Sequence, residues 1–189
     1  MKKAKILAIV GSLRSKSYNL QLANIAKSIV GESADFSILD YSDVPLLNQD
    51  IEHPAPASIK RVRDAVVEAD AIWFFTPEYN HSIPGVLKNL IDWLSRPVSK
   101  TEPNVIGGKP VAISGITTGM TGTSVSQDQL VTLISYLNMN VMNKPRLAVP
   151  NVSQQLNDKG ELTLVSSMEQ LEKQAGAFVK FIEKQKSMQ

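Results

Sequence analysis

Residues 71–75 read Ala71-Ile72-Trp73-Phe74-Phe75, apolar at every position. A strand with one wet face alternates apolar and polar side chains, so an unbroken apolar run of this length marks a strand covered on both faces. Such strands belong to parallel sheets whose crossover helices lie above and below. The segment therefore points to a three-layer α/β arrangement.

The rest of the chain repeats the pattern. Lys5 followed by Ile6-Leu7-Ala8-Ile9-Val10 reads as a first strand, and Ala34 to Leu39 as a second. Lys109 to Ile116, entered through Gly107-Gly108, reads as a fourth, and Val141 to Val149 contains a fifth broken by Pro145. Between the strands, apolar residues recur at helical spacing. Leu22, Ile25, Ala26, Ile29 and Val30 form one such face, and Ile59, Val62, Val66 and Ala69 a second. Val86, Leu87, Leu90, Ile91 and Leu94 form a third, with Pro84 tolerated in the first turn. Leu130, Leu133, Ile134 and Leu137 form the fourth; Met168, Leu171, Ala175, Phe178 and Ile182 form the last.

Five βα units with right-handed crossovers make a three-layer sandwich, a five-stranded parallel sheet with helices on both faces. Five strands fit the flavodoxin-like order 2-1-3-4-5 better than a six-strand dinucleotide fold. No repeat or linker divides residues 1–189, and 43% hydrophobic residues suffice for one core, so a single domain is expected.

Charge narrows the function. Twenty basic and 18 acidic residues give a net +2, mixed along the chain, which provides no footprint for nucleic acid. No apolar stretch approaches the ~20 residues of a membrane span. The five apolar residues before Gly11 fall short of the roughly 7–15 of a signal peptide core. There is no Cys, so disulfides, thiol nucleophiles and thiolate metal sites are excluded, and a reducing compartment suits the chain. A cytoplasmic protein is expected. The two histidines, His53 and His81, make a poor metal site, and Ser12 lacks a nucleophile elbow. Neither a metal nor a catalytic side chain is expected.

Open α/β sheets bind ligands at the turns leaving the carboxyl ends of their strands. The first such turn is Gly11-Ser12-Leu13-Arg14-Ser15-Lys16-Ser17-Tyr18-Asn19. A helix start offers free N–H groups and a positive dipole end, and Ser12, Arg14, Ser15, Ser17 and Asn19 add five donors. Lacking both G-x-G-x-x-G and the Walker glycines, the loop suits a terminal monophosphate such as that of FMN. The second turn is Thr76-Pro77-Glu78-Tyr79-Asn80-His81-Ser82-Ile83-Pro84-Gly85. Thr76-Pro77 forces an extended approach, and Glu78, Tyr79 and Asn80 then expose backbone donors and a flat ring, suited to a flavin edge. The third is Ser114-Gly115-Ile116-Thr117-Thr118-Gly119-Met120-Thr121-Gly122, whose glycines permit close approach to a planar ligand. Ser114 and Gly115 are its candidate contacts.

Ser12-x-Arg14-x-x-Ser17-x-Asn19, with Pro77-Glu78-Tyr79-Asn80 and Ser82-x-Pro84-Gly85-x-Leu87-Lys88-Asn89-x-Ile91-Asp92-Trp93, closely resembles the NADPH-dependent FMN reductase family. That group includes azoreductases, quinone reductases and chromate reductases. The resemblance covers nearly the whole chain. It implies non-covalent FMN, with Ser12, Arg14, Ser17, Tyr18 and Asn19 on the phosphate and ribityl chain. Pro77, Glu78, Tyr79 and Asn80 would line the isoalloxazine. It further implies a homodimer or homotetramer and a hydride passed from NADPH, or NADH, to flavin N5. The acceptor would then be a quinone, an azo compound, a free flavin or a metal oxyanion. The chain departs from the family at Gly119-Met120-Thr121-Gly122-Thr123-Ser124, where similar proteins often carry a Gly-Gly-x-Arg-Ala run. The competing reading is a flavodoxin-like electron carrier, which the near-neutral charge disfavours, since such carriers are typically strongly acidic.

Overall fold

The computed structural model describes residues 3–188. Its strands are β1 (Ala4–Val10), β2 (Ala34–Ile38), β3 (Ala71–Phe75), β4 (Pro110–Ile116), β5 (Asn140–Val141) and β6 (Leu147–Val149). Its helices are α1 (Tyr18–Val30), α2 (Ala57–Glu68), α3 (Gly85–Ser95), α4 (Ser124–Tyr136) and α5 (Met168–Lys186). The sheet order is β2-β1-β3-β4-β5, and every pairing is parallel. This is the flavodoxin-like order.

The fifth strand position is divided in two. β5 pairs with Pro110 and Val111 at the start of β4, and β6 pairs with Ser114, Gly115 and Ile116 at its end. Pro145 stands between the two pieces, and a proline has no N–H to contribute to a ladder.

The apolar run Ala71–Phe75 is buried throughout, and its alternation serves two cores. Trp73 and Phe75, with Ala8 and Val10, pack beneath α1 and α5 against Leu22, Ala26 and Phe178. Ile72 and Phe74, with Leu7 and Ile9, pack on the opposite face against Val62 of α2, Leu90 of α3 and Leu130 of α4. Trp73 stacks on Phe75 at 5.2 Å between centroids and meets Phe178 edge-on at 5.4 Å. Burying each such side chain contributes about 1.5–3 kcal/mol. The indole is also satisfied as a donor: Trp73 Nε1 donates to Ser114 Oγ at 2.8 Å, and Ser114 Oγ donates to Gln174 Oε1 at 2.6 Å.

β1 leads to β2 on one side, and the chain then crosses to β3 on the other side of β1. The carboxyl ends of β1 and β3 therefore flank the point where the winding reverses, the place where such sheets open a crevice.

Candidate functional site

A cleft of about 270 Å³ opens at that point, and three loops line it. The first runs from the end of β1 to α1. Gly11 N–H donates to Phe75 O at 2.8 Å, which fastens the loop's start to the neighbouring strand. A Cβ at Gly11 would press on the Pro77 ring at 3.1 Å, so a residue without one lets the first and second loops meet. Ser17 N–H donates to Arg14 O at 3.0 Å, closing a turn, and Ser17 Oγ accepts from Leu20 N–H at 3.4 Å as the N-cap of α1. Ser12, Arg14, Ser17 and Tyr18 all line the cleft. The Arg14 guanidinium lies 5.2 Å from the Tyr18 ring centroid and is exposed.

Asn19 also lines the cleft, but its amide is already committed. Nδ2 donates to Ile116 O at 2.9 Å, and Oδ1 accepts from Ile116 N–H at 3.1 Å. Only 3% exposed, Asn19 clips the first turn of α1 to the end of β4, spending one of its two amide hydrogens there. Ser15 is exposed and lies outside the cleft lining.

The second loop is bound at several points. Tyr79 N–H donates to Ser82 O at 3.2 Å and Ser82 N–H to Tyr79 O at 3.0 Å, with Asn80 and His81 both left-handed at φ 52 and 56. Two such central residues match a type I′ hairpin turn, so the Tyr79 donor expected to face a ligand is spent inside the turn. Asn80 sits at its exposed tip, away from the cleft lining. Ser82 Oγ donates to Gln129 Oε1 at 2.7 Å and Gln129 Nε2 donates to His81 O at 2.9 Å, docking the turn on α4. Pro77, Glu78 and the half-exposed Tyr79 ring do line the cleft.

Glu78 is the one carboxylate among the lining residues, and both its oxygens are engaged. Oε1 accepts from Thr121 Oγ1 at 2.8 Å, with His81 Nδ1 at 3.2 Å; Oε2 accepts from Ser126 N–H at 3.1 Å. Burial pushes this carboxyl up, but the bonds from Ser126 and Thr121 and the nearby His81 outweigh it, leaving the group below the usual carboxylate range. Glu78 is thus anionic at neutral pH and is not a proton donor.

The third loop contributes Ile116, Thr117 and Thr118. Ser114 and Gly115, the expected contacts, stand too early. The Ser114 hydroxyl is fully buried in the Trp73–Gln174 network. Gly115 faces Thr123 and the Thr76 carbonyl, and a Cβ there would overlap both. β4 is buried at every position through Ile116, and the rim begins there, where exposure resumes at Thr117 and Thr118. Beneath the first loop, Tyr41 Oη donates to Val10 O at 2.6 Å. Burial, and secondarily Tyr79, push this phenol well above its ordinary range, so it stays a donor.

The chemistry of this cleft suits a phosphorylated aromatic ligand. Its first end offers the amino terminus of α1, the Ser12 hydroxyl and the Arg14 fork. Its second end offers the Tyr79 ring, and both oxygens of its single carboxylate already accept hydrogen bonds within the chain. FMN fits this set: a dianionic phosphate at one end and a planar ring at the other.

Comparison with known proteins agrees. The sequence model of NADPH-dependent FMN reductase matches residues 4–154. The chain is 37% identical over 158 residues to a 2-hydroxy-1,4-benzoquinone reductase of Burkholderia, covering 84% of this chain and 85% of that protein. It is 36% identical over 174 residues to an NAD(P)H-dependent FMN reductase of Pseudomonas aeruginosa, covering 92% of each. Among solved structures, the flavoenzyme NAD(P)H:(acceptor) oxidoreductase FerB of Paracoccus denitrificans superposes with a TM-score of 0.86 at 31% identity. That match covers 96% of this chain and 98% of FerB. The chain belongs to the NADPH-dependent FMN reductase family.

Proposed function

From membership of that family, we propose that this protein is an NAD(P)H-dependent FMN oxidoreductase whose acceptors are small quinones. FMN is the cofactor and NAD(P)H the co-substrate. The observation that carries the assignment to this cleft is its polarity: an open cationic end at α1 and a ring-lined end with no free carboxylate. Bound FMN would supply the redox chemistry, hydride acceptance from the nicotinamide and electron donation to the acceptor. The chain's own residues place it. The first turn of α1, Ser12 and Arg14 hold the phosphate, and Pro77 and Tyr79 flank the ring. Thr117 and Thr118 form the facing wall. Glu78, anionic and fully bonded, transfers no proton.

Quinones are favoured over azo compounds, free flavins and metal oxyanions because the relatives at 32–37% identity include several named as quinone reductases. A cytoplasmic site of action follows from the need for NAD(P)H. A dimer or tetramer is supported by exposed Tyr79, Val86, Met120 and Val125, all at the carboxyl end of the sheet. Among the described residues, no helix is long and apolar enough to cross a membrane.

The test is the visible spectrum of the purified protein, followed by NADPH oxidation with a quinone, an azo dye, free FMN and chromate. A yellow protein with fastest turnover on the quinone is expected. Colourless protein that fails to retain added FMN sinks the proposal. Flavin reduced only by a partner protein would identify an electron carrier. Light scattering reads the oligomeric state.

A further inference from the structure

The amino end of α4 has no cap of its own. Thr123, in the N-cap position, is left-handed at φ 70 and makes no capping bond; its hydroxyl accepts instead from Gln127 Nε2 at 3.0 Å. Ser124 N–H donates to Thr121 O at 3.1 Å, and the later donors of the first turn need a substitute for the missing cap. That substitute comes from 48 residues earlier in the chain, where Glu78 Oε2 accepts from Ser126 N–H. Its other oxygen holds Thr121, in the loop just before the helix. The Glu78 side chain is only 6% exposed, with the Ser126 bond part-buried and the Thr121 bond at the surface. A carboxylate at a helix amino terminus also gains from the helix dipole.

We infer that Glu78 is a positioning residue, whose carboxylate fastens the ring-side loop to the amino end of α4 and makes the two walls flanking the flavin ring one rigid piece. Pro77 and Tyr79 stand on one side of this tie, and Thr117 and Thr118 on the other. Gln129 holds the far corner of the 79–82 turn and Ser126 Oγ donates to Pro77 O at 3.2 Å, so the tie has two further anchors, and losing Glu78 loosens the walls without freeing them. The first loop touches these walls at Pro77 and Ile116, but its own bonds run to Phe75 O, Arg14 O and Ile116 and none of them to Glu78. Glu78 therefore governs ring binding and leaves phosphate binding alone.

The inference rests on the FMN reading, and its test separates the two. Wild type, Glu78→Ala and Glu78→Gln are titrated with FMN and with riboflavin, which lacks the phosphate, by quenching of flavin fluorescence. Amide hydrogen exchange of the flavin-free proteins is followed at Ser126 and Ser82. Losing a cap is worth about threefold to thirtyfold in an equilibrium. Glu78→Ala should weaken both flavins by one common factor in that range and speed exchange at Ser126 and Ser82 together. Glu78→Gln keeps an acceptor for Ser126 N–H and should recover affinity to within about threefold of wild type. Should the alanine variant fail to fold, the glutamine variant carries the same comparison at its smaller size. Unchanged affinity for both flavins in Glu78→Ala, or faster exchange at Ser126 alone, overturns the inference. Wild type that takes up no flavin overturns the FMN reading instead, and the exchange measurement, which uses none, still judges the tie.

Discussion

The two ends of the cleft are built on opposite plans. At the first end the chain spends few of its donors on itself: among the described residues the Arg14 guanidinium meets only the Tyr18 ring, and Ser12 lines the cleft. At the second end nearly every polar group has a partner in the chain. Tyr79 and Ser82 bond each other, Ser82 and His81 bond Gln129, and Glu78 bonds Thr121 and Ser126. A phosphate brings charge and strong acceptors, so its site needs donors left free. A flat ring brings area and a few edge groups, so its site needs walls that stay in place. Selectivity for phosphate resides at the open end and shape resides at the closed one.

This contrast breaks most easily at Arg14. Arg14→Ala removes a charge-assisted contact worth about 1.5–3 kcal/mol, so FMN affinity should fall about tenfold to a hundredfold while riboflavin affinity holds. An equal loss for both flavins would move the phosphate site elsewhere. The closed end is most exposed at Gly115, where an added Cβ overlaps Thr123 and the Thr76 carbonyl. Gly115→Ala should cost about 1–3 kcal/mol of stability by denaturant titration, the usual range for overpacking. Ser17→Ala removes the N-cap of α1 and should cost about 1 kcal/mol, read as a lower midpoint. The smallest effect is that of acid. The Glu78 carboxyl lies below its ordinary range in the folded protein, so its contribution is complete at neutral pH and is lost as pH falls through the folded value. Riboflavin affinity should therefore decline on acidification in wild type and more shallowly in Glu78→Gln.

Most of the scaffold was legible in the sequence because its signals are local. Consecutive apolar residues at 71–75 and helical spacing at 22–30 and 168–182 report burial directly, and the sheet order followed from the count and alternation of units. Pro145 disclosed that the fifth strand was interrupted, though not that its halves pair with different parts of β4. The first two loops were visible as polar clusters after strands. What the clusters did not disclose was which donors are spent. Asn19 reads as a wholly free amide until its partner, 97 positions away at Ile116, is known. Glu78 reads as a carboxylate with free oxygens until Ser126 is known. Ser114 reads as a loop residue until Trp73 and Gln174 close around it. In each case the deciding partner is distant in sequence, and no periodicity or spacing encodes it.

The divided strand position has a consequence at the sheet's border. A parallel sheet ends in a row of unpaired backbone groups that can recruit a strand from another molecule. Here that border is cut into runs of two and three residues by Asn143-Lys144-Pro145-Arg146, all exposed, carrying two cations and one imino nitrogen with no hydrogen. An incoming chain would find no straight stretch long enough to zip along. The opposite border, β2, is five residues long and carries the exposed Asp35 and Ser37 on alternate positions. The same interruption that shortens the ladder thus discourages end-to-end growth of the sheet into fibres.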